Sequence, residues 1–180
     1  MNDILLNSLH NFYENPNNLK KLNEILDHNI ISLRIIDWFV TNYSKKKNIY
    51  YLLYKTQNGK ITFNSEGNRY YKGINVYQSY KSKLKSFSKK KFDPFCRKDR
   101  ILFLNYETTI GQLNFFQWAI DNLIIEYIQK NSKEIEYDMF NNSSRNIKKK
   151  KEERKKREEL SKSISRGLNS NKRNITLDFN

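Results

Sequence analysis

The stretch TIGQLNFFQWAIDNLIIEYIQK, residues 109–130, decides the fold. Thr109 followed three residues later by Gln112 has the form of a capping box, in which side chains satisfy the free amides at the start of a helix. Behind it Ile110, Leu113, Phe116, Ile120, Leu123, Ile124 and Tyr127 recur at three- and four-residue intervals, which places apolar side chains on one helical face. Asp121 and Glu126 interrupt a run that is otherwise strongly apolar, so the stretch is expected to be the central core helix, ending near Lys130.

Working outward, Ile101-Leu102-Phe103-Leu104 has the length of a buried strand. Before it, Val76, Tyr80, Leu84 and Phe87 share one face of a helix expected to end near Lys91, because a residue ahead of proline, here Asp93 before Pro94, avoids helical geometry. Residues 49–55 are rich in Tyr, Leu and Ile, and Gln57-Asn58-Gly59-Lys60 is a tight-turn signal before Ile61-Thr62-Phe63, so the pair predicts a β-hairpin. Leu19, Leu22 and Leu26 after Pro16 predict a short helix over residues 17–27. Ser32 is an N-cap for a second, carrying Leu33, Ile36, Phe39, Val40 and Tyr43 and ending at Lys45-Lys46-Lys47. The expected class is α+β: a small antiparallel hairpin or sheet packed against several helices, as one domain over residues 1–140. Only Phe179 among the aromatics lies beyond Phe140, so residues 141–180 read as a basic tail, partly helical or disordered. No internal repeat is present.

Charge is distributed unevenly. The chain has 34 Lys and Arg against 19 Asp and Glu, a net +15. Residues 141–180 hold 13 basic and 5 acidic residues, residues 79–100 hold 9 and 2, and the remainder is balanced. Charge confined to two segments creates a local positive field that attracts polyanions. In the tail, opposite charges recur four residues apart, as in Lys148/Glu152, Glu152/Lys156, Glu153/Arg157 and Lys155/Glu159, without an apolar stripe to dock.

Cys96 is the only cysteine, which excludes an internal disulfide and fits a reducing compartment. The opening MNDILLNSLH lacks the basic and apolar regions of a signal peptide, and no run reaches the roughly 18–20 apolar residues of a membrane span. The expectation is a soluble, intracellular protein without a membrane partner. Abundant Asn, Lys, Ile and Tyr reflect an AT-rich genome.

Three stretches, DWFVTNY at residues 37–43, FDPFCR at 92–97 and TIGQLNFF at 109–116, together resemble a family of uncharacterised proteins of nucleocytoplasmic large DNA viruses, of giant-virus type. The likeness covers residues 30–140 and leaves the tail as a variable extension. It implies a viral setting, in the host cytoplasm, a viral factory or the virion, where viral DNA or RNA is an abundant polyanion.

The sharpest functional feature is the basic helix with its following loop. Lys81, Lys85 and Lys89 form a row at helical spacing, joined by Lys83, Lys90, Lys91, Arg97, Lys98 and Arg100. Tyr71, Tyr77, Tyr80 and Phe87 interleave with them, and aromatics beside cations are what a single-stranded nucleic-acid surface uses. The competing reading makes the aromatics core and the lysines a wet outer face. In the tail, Lys148, Lys149, Lys150, Lys151, Arg154, Lys155, Lys156 and Arg157 form a nucleic-acid arm, a nuclear-localisation signal or a spacer. The segment ITLDF, residues 175–179, has the alternation of a strand that adds to a partner's sheet or packs back on its own domain.

Chemistry-bearing alternatives are weaker. Asp93 and Asp99 suit a loop cap or ion pair better than a metal, and Glu107 completes no nuclease motif. Cys96, beside Arg97 and Lys98, has no histidine near it in sequence, since His10 and His28 lie far upstream, and neither cysteine nor histidine spacing suits zinc. Gly111 without a glycine-rich loop points to close packing of helix against strand rather than phosphate binding. The expected protein is therefore a non-enzymatic, cofactor-free nucleic-acid binder without a metal site. Its first rival is a virion or transcription-complex scaffold that recruits a viral protein partner through the tail, and its second a divergent metal-dependent nuclease.

Overall fold

The computed structural model describes residues 2–27, 31–97 and 99–152. The chain divides into two units, Met1–Asn141 and Asn142–Asn180, and the architecture below is that of the first. It is an α+β fold. Helices α1 (Asn2–Tyr13) and α2 (Pro16–Leu26) are followed by α3 (Leu33–Trp38), which passes through a single π turn, Phe39–Tyr43, into α4 (Ser44–Lys47). Strands β1 (Tyr50–Lys55), β2 (Ile61–Thr62) and β3 (Arg69–Asn75) then form an antiparallel sheet in the order β2-β1-β3. Helix α5 (Val76–Phe87) precedes a hairpin of β4 (Arg100–Phe103) and β5 (Tyr106–Thr109), and α6 (Ile110–Asp121), α7 (Ile124–Lys130) and α8 (Ser132–Glu152) are the last elements among the described residues.

Helix α6 is the centre. Thr109 accepts the Gln112 amide at 3.0 Å, and residues 111–116 and 118–120 are all buried. Against it α1 contributes Leu9 and Tyr13, whose hydroxyl donates to the Leu113 carbonyl at 2.8 Å across 100 residues of sequence. The desolvation of that tyrosine, with Asp121 nearby, holds its phenol well above the ordinary range.

Four expectations are corrected. The helix of residues 109–130 is two helices, because Leu123 adopts a left-handed φ of 52° and the Asn122 amide folds back to the Trp118 carbonyl at 2.6 Å. The basic helix stops at Phe87 rather than Lys91, where Ser88 turns to φ 61°. Residues 101–104 do not make a buried strand, since the two-stranded hairpin exposes one face and Leu102 is 78% accessible. Its turn, Leu104-Asn105, has positive φ at both residues, as a type I′ hairpin demands. Finally, the helix that starts at Ser32 is interrupted by the π turn, a local widening frequent near functional sites.

Candidate nucleic-acid interface

Residues 81–97 lie on α5 and the loop after it. Val76 and Tyr80 bury one face of α5, and Phe87 stacks on Phe92 with ring centroids 6.4 Å apart. That amphipathic division sends Lys81, Lys83 and Lys85 outward. Lys89 and Lys90 are exposed on the turn that follows, and Lys91 is half-buried. Phe92 then dives into the core, touching Tyr80, Phe115 and Trp118.

The loop is clamped onto the start of α6. The Asp93 amide donates to the Gly111 carbonyl, Gln112 Nε2 to the Pro94 carbonyl at 2.9 Å, and Asn114 Nδ2 to the Lys91 carbonyl at 2.7 Å. Gly111 is required for this approach, and its partner is the loop rather than a strand. Asp93 serves as the loop cap: Oδ1 accepts the Phe95 amide at 3.2 Å and Oδ2 lies 3.5 Å from Arg97 Nε. Between loop and helix is a cavity of about 200 Å³ lined by Lys89, Lys90, Asp93, Phe95, Arg97 and Thr109.

None of Lys81, Lys83, Lys85, Lys89, Lys90 and Lys91 takes part in an ion pair among the described residues. Elsewhere some cations are paired, Lys21 with Glu126, Lys46 with Asp138, Lys47 with Glu134 and Arg100 with Glu107, while Lys45, Lys55, Lys60, Lys72, Lys130 and Lys133 take part in no ion pair among the described residues. Arg97 and Arg100, predicted alongside the lysines, are therefore partly neutralised by Asp93 and Glu107. Of the 45–47 lysine run, only Lys45 turns toward α5, its ammonium 5.6 Å from the Tyr77 ring. Lys98 and Arg154, Lys155, Lys156 and Arg157 lie outside the described residues, as does ITLDF. Lys148, Lys149, Lys150 and Lys151 fall within α8.

The interleaved aromatics divide. Tyr80 and Phe87 are core-facing, whereas Tyr71 is 40% exposed. Two exposed tyrosines escaped the sequence reading: Tyr50 and Tyr70, on the solvent side of the three-stranded sheet with Leu52. The alternation of Tyr50, Leu52 and Tyr54 against Tyr51 and Leu53 was the available signal, but β3 itself was unassigned. Lys55 and Lys72 lie over the Tyr71 ring at 4.4 and 5.0 Å.

Asp37 was likewise missed as part of this region. Burial lifts its carboxyl above the ordinary value of 3.8, Asp93 reinforces the rise, and Arg97 and Lys89 oppose it. The folded state thus favours the protonated form, a contribution present at low pH and lost as pH rises through the raised value. Asp37→Asn is expected to be more stable than the parent at pH 7 and to converge with it below about pH 4, which urea denaturation at the two pH values checks. Among the described residues no group of three or more His, Cys, Asp or Glu side chains is placed to hold a metal, and no helix is long and apolar enough to cross a membrane.

A family of unknown function (DUF7197) matches across residues 1–180. The chain belongs to DUF7197. A relative, an uncharacterized protein of Acanthamoeba polyphaga mimivirus, is 44% identical over 129 residues, covering 66% of this chain and 45% of its own length. The chain thus spans less than half the length of that relative. The giant-virus resemblance read from three stretches is borne out, and the structure adds that two of them, at 92–97 and 109–116, meet where the loop docks on α6, with Asp37 of the third electrostatically coupled to Asp93 and Arg97. No solved structure matches this member of DUF7197.

Proposed function

We propose that this protein is a non-enzymatic nucleic-acid binder that grips phosphates through α5 and the following loop, with the basic tail adding sequence-independent contacts. The observation that carries the reading is the clustering of six lysines on one helix and the turn after it, none of them in an ion pair among the described residues. Unpaired cations concentrated on one helix and its turn keep their full charge for phosphate, and their burial cost is small because all but Lys91 are exposed. The exposed Tyr50, Tyr70 and Tyr71 supply faces on which unpaired bases stack, which favours single strands.

Binding through six to eight such residues gives a slope of log affinity on log salt of about −5 to −7 on duplex and somewhat shallower on single strands. Replacing Lys81, Lys85 and Lys89 together by Gln is expected to reduce the slope by about 3. A flat salt dependence rejects the reading. Loss of a protein partner on deleting residues 141–180, with strand affinity intact, would favour a scaffold instead.

A further inference from the structure

Strands β1, β2 and β3 carry Lys55, Arg69 and Lys72 and not one Asp or Glu, in a chain that has 19 acidic residues. Their solvent side shows Tyr50, Leu52 and Tyr70, which are 59%, 38% and 58% exposed. Tyr50 and Leu52 are two apart on β1 and so share a face, and Tyr70 joins it through its pairing with Tyr54. Both exposed rings are held in place. Tyr50 reaches diagonally across to β3: a Cβ on Gly73 would stand 2.9 Å from its Cζ and 3.2 Å from its Cε2, so the missing side chain is what lets the ring lie on the sheet. Tyr54 meets Tyr70 edge to face, with ring centroids 6.2 Å apart. A ring laid on the sheet and still more than half exposed turns its outer face to solvent.

The charges of the sheet form a second, independent observation. At the end of the β1–β3 pair Lys55 stands directly opposite Arg69, a like-charge pairing that destabilises a sheet and that a bound phosphate would offset. Neither takes part in an ion pair among the described residues. Lys72, on the outer strand β3, lines one cleft with Lys83 of α5, so this edge of the sheet adjoins the helix assigned to the phosphates. Fixed aromatic faces beside uncompensated cations match the two parts of a single strand, its bases and its phosphates. A duplex hides its base faces by stacking them on one another, so it uses the cations and not the rings. A second copy of this chain, at net +15, would set the same cations against each other.

We propose that this sheet face selects single-stranded over duplex nucleic acid: unpaired bases stack on Tyr50 and Tyr70, Gly73 positions Tyr50, and Lys55 and Arg69 meet the phosphates alongside. The selection rests on the phosphate grip assigned to α5, with the helix supplying affinity for any strand and the sheet supplying the preference. A flat salt dependence removes both the grip and the preference, whereas a steep one with equal affinity for single strand and duplex removes the preference alone.

Fluorescence anisotropy of the full chain, with a labelled mixed-sequence single strand and with the duplex it forms with its complement, tests the proposal. At matched salt the single strand is expected to bind at least about tenfold more tightly, from two stacked bases. Tyr50→Ala and Tyr70→Ala should each lower single-strand affinity by about fivefold or more and leave duplex affinity within about twofold, while Tyr50→Phe and Tyr70→Phe keep both. In Gly73→Ala the new Cβ meets the far end of the Tyr50 side chain rather than backbone, so the ring moves and the fold stays. The same loss of preference is expected there with every aromatic and every cation in place. Replacing Lys81, Lys85 and Lys89 by Gln lowers affinity for both forms. Melting curves separate lost binding from lost fold, and Tyr50→Leu, which covers Gly73 without a ring, replaces Tyr50→Ala if the latter unfolds. Equal affinity for the two forms, single-strand affinity unmoved when Tyr50 and Tyr70 are both replaced by Ala, or a loss shared equally by the duplex overturns the proposal. A dimer that Tyr70→Ala dissolves in sedimentation, with the strand preference unmoved, overturns it in favour of a second copy on this face.

Discussion

Phe92→Ala is expected to cost about 3–5 kcal/mol of folding free energy, the range for deleting a buried aromatic ring. The residue is 1% exposed, and its ring centroid lies 5.2 Å from Phe115, 5.6 Å from Trp118, 6.0 Å from Tyr80 and 6.4 Å from Phe87. Those partners belong to α5 and α6, so truncation opens a void exactly where helix, loop and core are joined, and rigid helices on two sides limit its collapse. Against a total of about 5–15 kcal/mol, that loss leaves a marginal fold. Phe92→Leu, which keeps much of the volume, is expected to cost less than half as much. Leu102→Ala removes a side chain that is 78% exposed and should stay within about 0.5 kcal/mol of the parent. Urea denaturation of the three variants checks the order; a parent-like midpoint for Phe92→Ala would show that the ring does not anchor the loop.

The legible parts of the fold were those where a local signal and the tertiary structure agree. Ser32 and Thr109 each accept the amide three residues on, and Gly59 in the predicted turn takes φ 76°. Helix α1 was not legible, although Leu5, Leu9 and Phe12 keep helical spacing, because asparagines at 2, 7 and 11 weaken its propensity. Strand β3 was hidden by Lys72 and Gly73, poor strand formers that the sheet accepts because Tyr50 lies over the glycine from the neighbouring strand. The break at Leu123 carries no glycine or proline. A left-handed leucine is held by burial of its side chain and by the Asn122 hydrogen bond, which are tertiary causes.

The candidate interface shows the same division. Clustering of lysine is a property of the sequence, and the structure leaves the lysines of α5 outward. Whether a cation stays unpaired depends on which carboxylates fold back to it. Asp93 and Glu107 were considered for metal chemistry, but they are spent on Arg97 and Arg100. Asp121 stands apart: it looked like an interruption of an apolar run, and the fold uses it as the acidic wall of a cleft.

Gly111→Ala tests the docking of the loop without removing a charge. Inside a helix alanine is ordinarily preferred over glycine by about 1 kcal/mol. Here a Cβ would stand 2.9 Å from the Lys90 carbonyl oxygen, 3.3 Å from the Phe92 nitrogen and 3.4 Å from the Lys91 carbonyl carbon, all backbone atoms that cannot swing aside. Overpacking of this kind costs about 1–3 kcal/mol, enough to reverse the propensity gain, and Gly111→Val should cost more. The loop can relieve the clash only by lifting off α6, which stretches the Asp93-to-Gly111 and Asn114-to-Lys91 hydrogen bonds and carries Lys89, Lys90 and Arg97 away from Thr109. The expected result is a lower melting temperature together with weaker strand binding and a shallower salt slope, although every lysine is still present. A variant more stable than the parent would mean that residues 90–92 do not press on the helix, and the interface would then be a set of independent charges rather than a shaped surface.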